Sequence, residues 1–245
     1  MIEAATGPTQ VSDPATGIPL VRLATQPKQG RDDENDDRAA AGTRPRIALA
    51  DGASTSARAE VWAEILVCAY VVDGVDIFDP EVLEELRTEW QRRVHDENLP
   101  WYALAKLQHG GAATFVGIEF AHSRYRAVAV GDACLLQFRG GQLITAGPLD
   151  DPTQFGRTPP LISTLAGDRS HMPAIWRHEA ELMSGDHLVL ASDALAKHLL
   201  TRHSLGKTID PATIPDDEEF HEWVAEARRT GMDNDDTTIC VMVQP

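Results

Sequence analysis

The stretch GDHLVLASDALAKHLL at 185–200 reads as a strand and a helix that meet at an acid. Leu188 to Ala191 is an apolar run of strand length, Asp193 stands at its end, and the residues beyond it return to helical spacing. The same arrangement recurs. RIALA at 46–50 runs into the turn Asp51-Gly52, and Asp235 precedes the apolar run TTICVMV at 237–243. Asp132 lies between two β-rich runs in YRAVAVGDACLLQF, and Asp37 lies in the loop before the run at 46–50. Strand ends gather at a sheet edge. If the strands at 46–50, 188–191 and 237–243 are neighbours, Asp51, Asp193 and Asp235 meet there.

Taken singly, each of these residues also reads as a turn former or helix cap. Taken together, such carboxylates raise one another's pKa and cost stability unless a hard divalent cation neutralises them. With Mg²⁺ or Mn²⁺ the cluster becomes a set of oxygen ligands in which one carboxylate can bridge two ions. Gly52, lacking Cβ, allows its carbonyl to approach such an ion.

The rest of the chain supplies strands and helices around these acids. Trp62, Ile65, Leu66, Ala69 and Tyr70 recur at helical spacing behind Ser54 or Thr55, either of which can cap the helix. Pro80 to His95 predicts a second helix with Val82, Leu83, Leu86 and Trp90 on one face. ATFVGIEFA, YRAVAVGDACLLQF and QLITA then predict an antiparallel meander. Residues 147–180, rich in Pro, Gly and Ser, predict a long connection with one short helix, and Asp216 to Arg229 a last amphipathic helix. Residues 1–27 read as a partly flexible segment with one β-like patch, Ile18 to Ala24, ahead of a domain over 28–245.

With 245 residues, 42% of them hydrophobic and 24% charged, the composition suits a globular chain with one generous core. Against 22 Lys and Arg stand 38 Asp and Glu, a formal net charge of −16, which repels phosphate backbones and anionic lipid; no nucleic-acid or membrane partner is expected. Cys68, Cys134 and Cys240 lie far apart in apolar runs, as buried free thiols do in a reducing compartment. No run approaches the ~18 apolar residues of a membrane span, and no signal-peptide pattern opens the chain, so a cytoplasmic location is expected.

Other motifs fall short. GKT at 206–208 has Thr201 where a phosphate loop needs Gly, and HEAEL at 178 and HEWVA at 221 lack a second His and read as surface helix. DNDDTT lacks the Gly and Glu of a calcium loop. There is no GxSxG and no Cys in a phosphate-cradling loop.

Six segments in order, ENDD at 34–37, LADGAS at 49–54, GAAT at 111–114, VGDACLLQFRGG at 130–141, GDHLVLASDAL at 185–195 and DDTTICVMV at 235–243, resemble the metal-dependent protein serine/threonine phosphatases of type 2C. The closer likeness is to their divergent bacterial branch. The resemblance implies an α+β fold, a four-layer α-β-β-α sandwich of two mainly antiparallel sheets. It implies two Mn²⁺ or Mg²⁺ ions bridged by Asp51, with the Gly52 carbonyl, Asp193 and Asp235 as ligands, and with Asp37 and Asp36 acting through metal-bound water. Asp132 matches a position that helps hold a third metal. It also implies hydrolysis of phosphoserine and phosphothreonine on proteins by an activated water, opposite a Ser/Thr kinase, by a monomeric enzyme.

The chain departs from the family at three places. The register of the phosphate-gripping Arg falls on Asp32, leaving Arg31 or Lys28 to replace it; Ala53 stands where many relatives have His; and Lys197 stands where a third-metal carboxylate is common. The shifted Arg register and Lys197 leave open a second reading, a catalytically weak regulatory or binding module; a third keeps the metal chemistry but takes a phosphorylated small molecule, a choice the 147–180 segment would shape.

Overall fold

The computed structural model describes residues 11–13, 18–31, 34–42, 45–95, 101–121, 123–156, 158–216 and 218–244. In chain order the strands and helices are β1 (Val11–Asp13), β2 (Ile18–Gln26), β3 (Arg38–Ala41), β4 (Arg46–Ala50), α1 (Ala59–Cys68), α2 (Pro80–Val94), α3 (Trp101–Gln108), β5 (Ala112–Ala113) and β6 (Phe115–Ala121). They continue with β7 (Arg124–Val130), β8 (Cys134–Arg139), β9 (Gln142–Gly147), β10 (Ile162–Ser163), β11 (Trp176–Glu181), β12 (His187–Ala191), α4 (Asp193–Ser204), α5 (Glu218–Arg229) and β13 (Thr237–Val243).

Alternation along the strands sets the layers, because successive side chains point to opposite faces. Leu188, Leu190, Cys240 and Met242 meet Ile47, Leu49, Val116 and Ile118 in one apolar layer between two sheets. Their neighbours Val189, Ala191, Ile239 and Val241 face outward onto Leu195, Leu199, Phe220 and Val224 of α4 and α5. On the far side Ala48, Ala50, Phe115 and Val130 face Trp62, Leu66 and Trp90 of α1 and α2. The small Ala48 and Ala50 leave room for the fully buried Trp62, whose indole N–H donates to the Ile162 carbonyl at 2.8 Å. The result is the α-β-β-α sandwich.

One sheet runs β1-β2-β13-β12-β8-β9 and the other β11-β7-β6-β4-β3, with β10-β5 as a separate pair. All pairings are antiparallel. β2 pairs along β13 from Leu20 to Gln26, so the β-like patch near the N-terminus is an inner strand of the six-stranded sheet.

Four local expectations are corrected. The meander is split: the β6-β7 hairpin belongs to one sheet and the β8-β9 hairpin to the other. The chain crosses between them at Gly131, where φ is +100° and a Cβ would lie 2.5 Å from the Thr114 side chain, so glycine alone permits the turn. Neither Ser54 nor Thr55 caps α1, which starts at Ala59 behind Arg58 in the left-handed region. The connection at 147–180 contains β11, whose polar and apolar residues alternate; HEAEL is therefore largely strand rather than helix. α3 is a helix that the sequence reading left out.

The buried Arg87 of α2 holds the long connection in place, donating to the carbonyls of Ser163 at 3.0 Å and Asp168 at 2.7 Å. Asp79 caps α2 through the amides of Glu81 and Val82. The three cysteines are free thiols. Among the described residues no helix is long and apolar enough to cross a membrane.

Candidate metal centre

The strand ends bring the acids to one end of the sandwich, from both sheets. β12 and β13 are antiparallel neighbours with Ala191 opposite Ile239, so Asp193 and Asp235, just beyond those residues, share an edge. Ser192 seals this corner: its N–H donates to the Thr238 carbonyl at 3.1 Å and its hydroxyl accepts the Thr238 N–H at 2.9 Å. Asp51 follows β4 and Asp37 precedes β3, both in the opposite sheet, and Asp132 lies in the crossing between the sheets. The strands at 46–50, 188–191 and 237–243 are therefore not neighbours in one sheet. Asp51 reaches the other acids across the sandwich.

Burial and mutual repulsion raise the acids' proton affinity. Burial, then the charges of Asp37, Asp193, Asp132 and Asp235, hold Asp51 well above the usual carboxylate range. Burial and the neighbouring Asp235 push Asp193 up to about 6; burial and Asp193 push Asp132 up to about 7. Asp36 rises to about 6 through burial, then through Asp236 and Glu60.

Asp37 is the most confined, at 3% exposure. Burial holds its pKa well up; the nearby hydroxyls of Thr238 and Ser192 offset part of this, and Asp236 and Asp193 add to it. Neither hydroxyl completes a hydrogen bond to Asp37. Thr238 shares its hydroxyl with Thr25 at 2.7 Å, and Ser192 donates to the Asp236 carbonyl at 3.3 Å. Both carboxylate oxygens of Asp37 are buried without a partner.

A carboxylate buried in this way is stabilised by a cation. Gly52 shapes the same place, since a Cβ there would lie 2.8 Å from the Asp36 carbonyl oxygen and 2.9 Å from the Ala59 Cβ. The donors are all oxygen, which suits Mg²⁺ or Mn²⁺. Among the described residues no three His, Cys, Asp or Glu side chains converge closely enough to hold an ion as they stand.

Asp236 organises the surroundings, and the sequence reading passed over it. Its two carboxylate oxygens accept the backbone N–H of Lys28 and of Asp36, each at 2.7 Å, and so clip together both arms of the loop that carries Asp36 and Asp37. Arg228 of α5 ties the same region down, donating to the carbonyls of Pro27 at 3.0 Å and Asp235 at 2.7 Å. A second acid directly before a strand, in DDTT, was the only signal in the sequence; which amides it would meet depends on chain 200 residues away.

No family model matches the sequence, and no curated protein sequence matches it significantly. Solved structures do. The catalytic domain of the serine/threonine protein phosphatase PstP, in complex with two manganese ions, is 22% identical and aligns over 91% of this chain and 96% of its own, with a TM-score of 0.57. PppA of Pseudomonas aeruginosa is 19% identical over 91% and 97%, with a TM-score of 0.56. The PPM Ser-Thr phosphatase MsPP from Mycobacterium smegmatis, in complex with cacodylate, is 19% identical over 92% and 98%, at 0.54. The fold is that of the type 2C phosphatases.

Within this phosphatase fold the departures from the family pattern acquire positions. Arg31 lines the groove beside Asp36, pairs with Glu34 at 3.4 Å and is half exposed. Lys28 places its ammonium 3.2 Å from Asp235 Oδ1. Lys197 pairs with Asp233 at 2.7 Å, beside Asp193. Asp32 and Asp33 lie outside the described residues. A groove of about 1490 Å³ runs past Asp36 and Asp37 between β2, β3, α1 and α5.

Proposed function

We propose that this protein is a Mg²⁺- or Mn²⁺-dependent phosphatase that removes phosphate from phosphoserine and phosphothreonine of proteins. The observation that carries the reading is the gathering of Asp37, Asp51, Asp193 and Asp235 at one end of a type 2C fold, with Asp37 buried and unpartnered. Asp51, the Gly52 carbonyl, Asp193 and Asp235 would hold the ions, with Asp36 and Asp37 completing their surroundings and Asp132 at the margin. Bound there, two divalent cations supply an acidified water and neutralise phosphoryl charge. The chain's own part is to position: Asp236 holds the Asp36–Asp37 loop against the β13 edge, and Ser192 locks the corner between Asp193 and Asp235. The absence of a nucleophile motif from the sequence agrees with a direct displacement that needs no covalent intermediate. The partner implied is a phosphoprotein, opposite a Ser/Thr kinase.

Hydrolysis of p-nitrophenyl phosphate and of a phosphothreonine peptide, with Mn²⁺, Mg²⁺ or EDTA, tests the reading. Metal-dependent turnover in the wild type should disappear in Asp193→Asn and Asp51→Asn, with both variants folded by circular dichroism. Near-normal turnover in either, with metal in excess, overturns it. A second reading, a type 2C-like binding module, draws on Lys197 paired with Asp233 and on Arg31 paired with Glu34. Metal binding by calorimetry without turnover would favour that module.

A further inference from the structure

Lys28 is rooted in the candidate metal centre by its backbone and reaches it again by its side chain. Its N–H is fixed to Asp236 Oδ1 at 2.7 Å, while its ammonium, on a flexible four-carbon stem, sits 3.2 Å from Asp235 Oδ1. The two side chains are 37% and 45% exposed, so the pair is a weak one that a divalent ion would displace from Asp235. Arg31 and Lys106 line the neighbouring groove, and several other cations are held by partners of their own. Arg38 donates to the carbonyls of Asn35 and Asp37, Arg228 to those of Pro27 and Asp235, Arg58 pairs with Glu60 and Lys197 with Asp233. Arg31 makes an exposed pair with Glu34 at 3.4 Å and, among the described residues, no ion pair with Asp235.

We infer that Lys28 is a two-position cation, which neutralises Asp235 in the metal-free chain and passes to the phosphate of the bound substrate when a divalent ion takes Asp235. This rests on the phosphatase reading for the site and names the residue that grips the phosphate. The geometry makes the exchange local: the clip to Asp236 keeps the root of Lys28 in place while the ammonium moves. A displaced ammonium beside the ions meets an incoming phosphate dianion, with which it forms a charge-assisted hydrogen bond.

The consequence is a pair of opposite effects, which a merely structural role does not produce. Lys28→Met removes a competitor for Asp235 and should tighten Mn²⁺ binding, measured by calorimetry, about two- to fivefold. The same variant should weaken binding of inorganic phosphate to the Mn²⁺-loaded protein about tenfold. Lys28→Arg should restore phosphate binding. Weaker binding of both ligands, or no change in either one, overturns the inference. A wild type that binds Mn²⁺ and phosphate but hydrolyses nothing overturns the phosphatase reading and leaves the two opposite effects to decide this one; a wild type that binds no Mn²⁺ overturns both.

Discussion

Replacing Asp132 with Asn removes one charge from the crowded end of the sandwich with almost no change of shape. Asp132 is 5% exposed, and burial together with Asp193 raises its pKa from 3.8 to about 7. The unfolded chain releases that proton near pH 4. Below pH 4 both states hold the proton and no penalty exists. As the pH rises through the folded value, the wild type must ionise a group that folding prefers neutral, and stability is lost over the window from pH 4 to 7. Fully developed at pH 8, the penalty is about 4 kcal/mol. The Asn amide, itself buried with few partners, returns about 1–3 kcal/mol of this. The net gain of about 1–3 kcal/mol raises Tm by about 2–12 °C in a chain of this size. Differential scanning fluorimetry in EDTA at pH 8 and at pH 4.5 measures it. The gain should vanish or reverse at pH 4.5 and narrow in saturating Mn²⁺, because ions neutralise the same charges. A variant no more stable than the wild type at pH 8, or equally stabilised at both pH values, would refute the account of these acids as mutually repelling.

Gly52→Ala should lower stability by about 1–3 kcal/mol in urea titrations and weaken Mn²⁺ binding, because its Cβ has the Asp36 carbonyl 2.8 Å away and the Ala59 Cβ 2.9 Å away; an unchanged midpoint would contradict the close approach. Asp186→Ala, at the opposite end of the sandwich, should cost about 3 kcal/mol while leaving Mn²⁺ affinity unchanged, since this buried carboxylate accepts from Arg139 Nε and Nη2 at 2.7 Å each, Gln137 at 2.9 Å and the Met183 amide at 3.0 Å. Burial alone would raise the Asp186 pKa, but the Arg139, Met183 and Gln137 bonds outweigh it and hold it below the usual range; its contribution is present above about pH 4 and lost as the pH falls through that depressed value. Acid titration of wild type and variant should therefore converge at low pH.

How much of this could be read in advance differs from feature to feature. β4, β12 and β13 were legible because each is a short apolar run bounded by a turn or an acid, and α2 because Pro80 and the apolar spacing behind it mark a start and a face. β11 was not, because the Pro- and Gly-rich residues around it mask a strand that exists by pairing along β7. Ser54 and Thr55 do not cap α1 because the chain first makes a turn, with the Ala112 N–H donating to the Ser56 hydroxyl, and the helix begins only at Ala59.

The candidate site divides along the same line. Acids at strand ends are a local pattern, so Asp51, Asp132, Asp193 and Asp235 were recoverable from the chain alone, and with the family resemblance they imply a metal chemistry. Which sheet each acid comes from, the burial that leaves Asp37 without a partner, the clip made by Asp236 and the pairing of Lys28 with Asp235 are properties of segments about 150–200 residues apart. Local propensity and periodicity record what a segment can be. Burial and charge depend on what folds against it, and in this protein that decides which aspartates share one end of the sandwich and which of them lacks a partner.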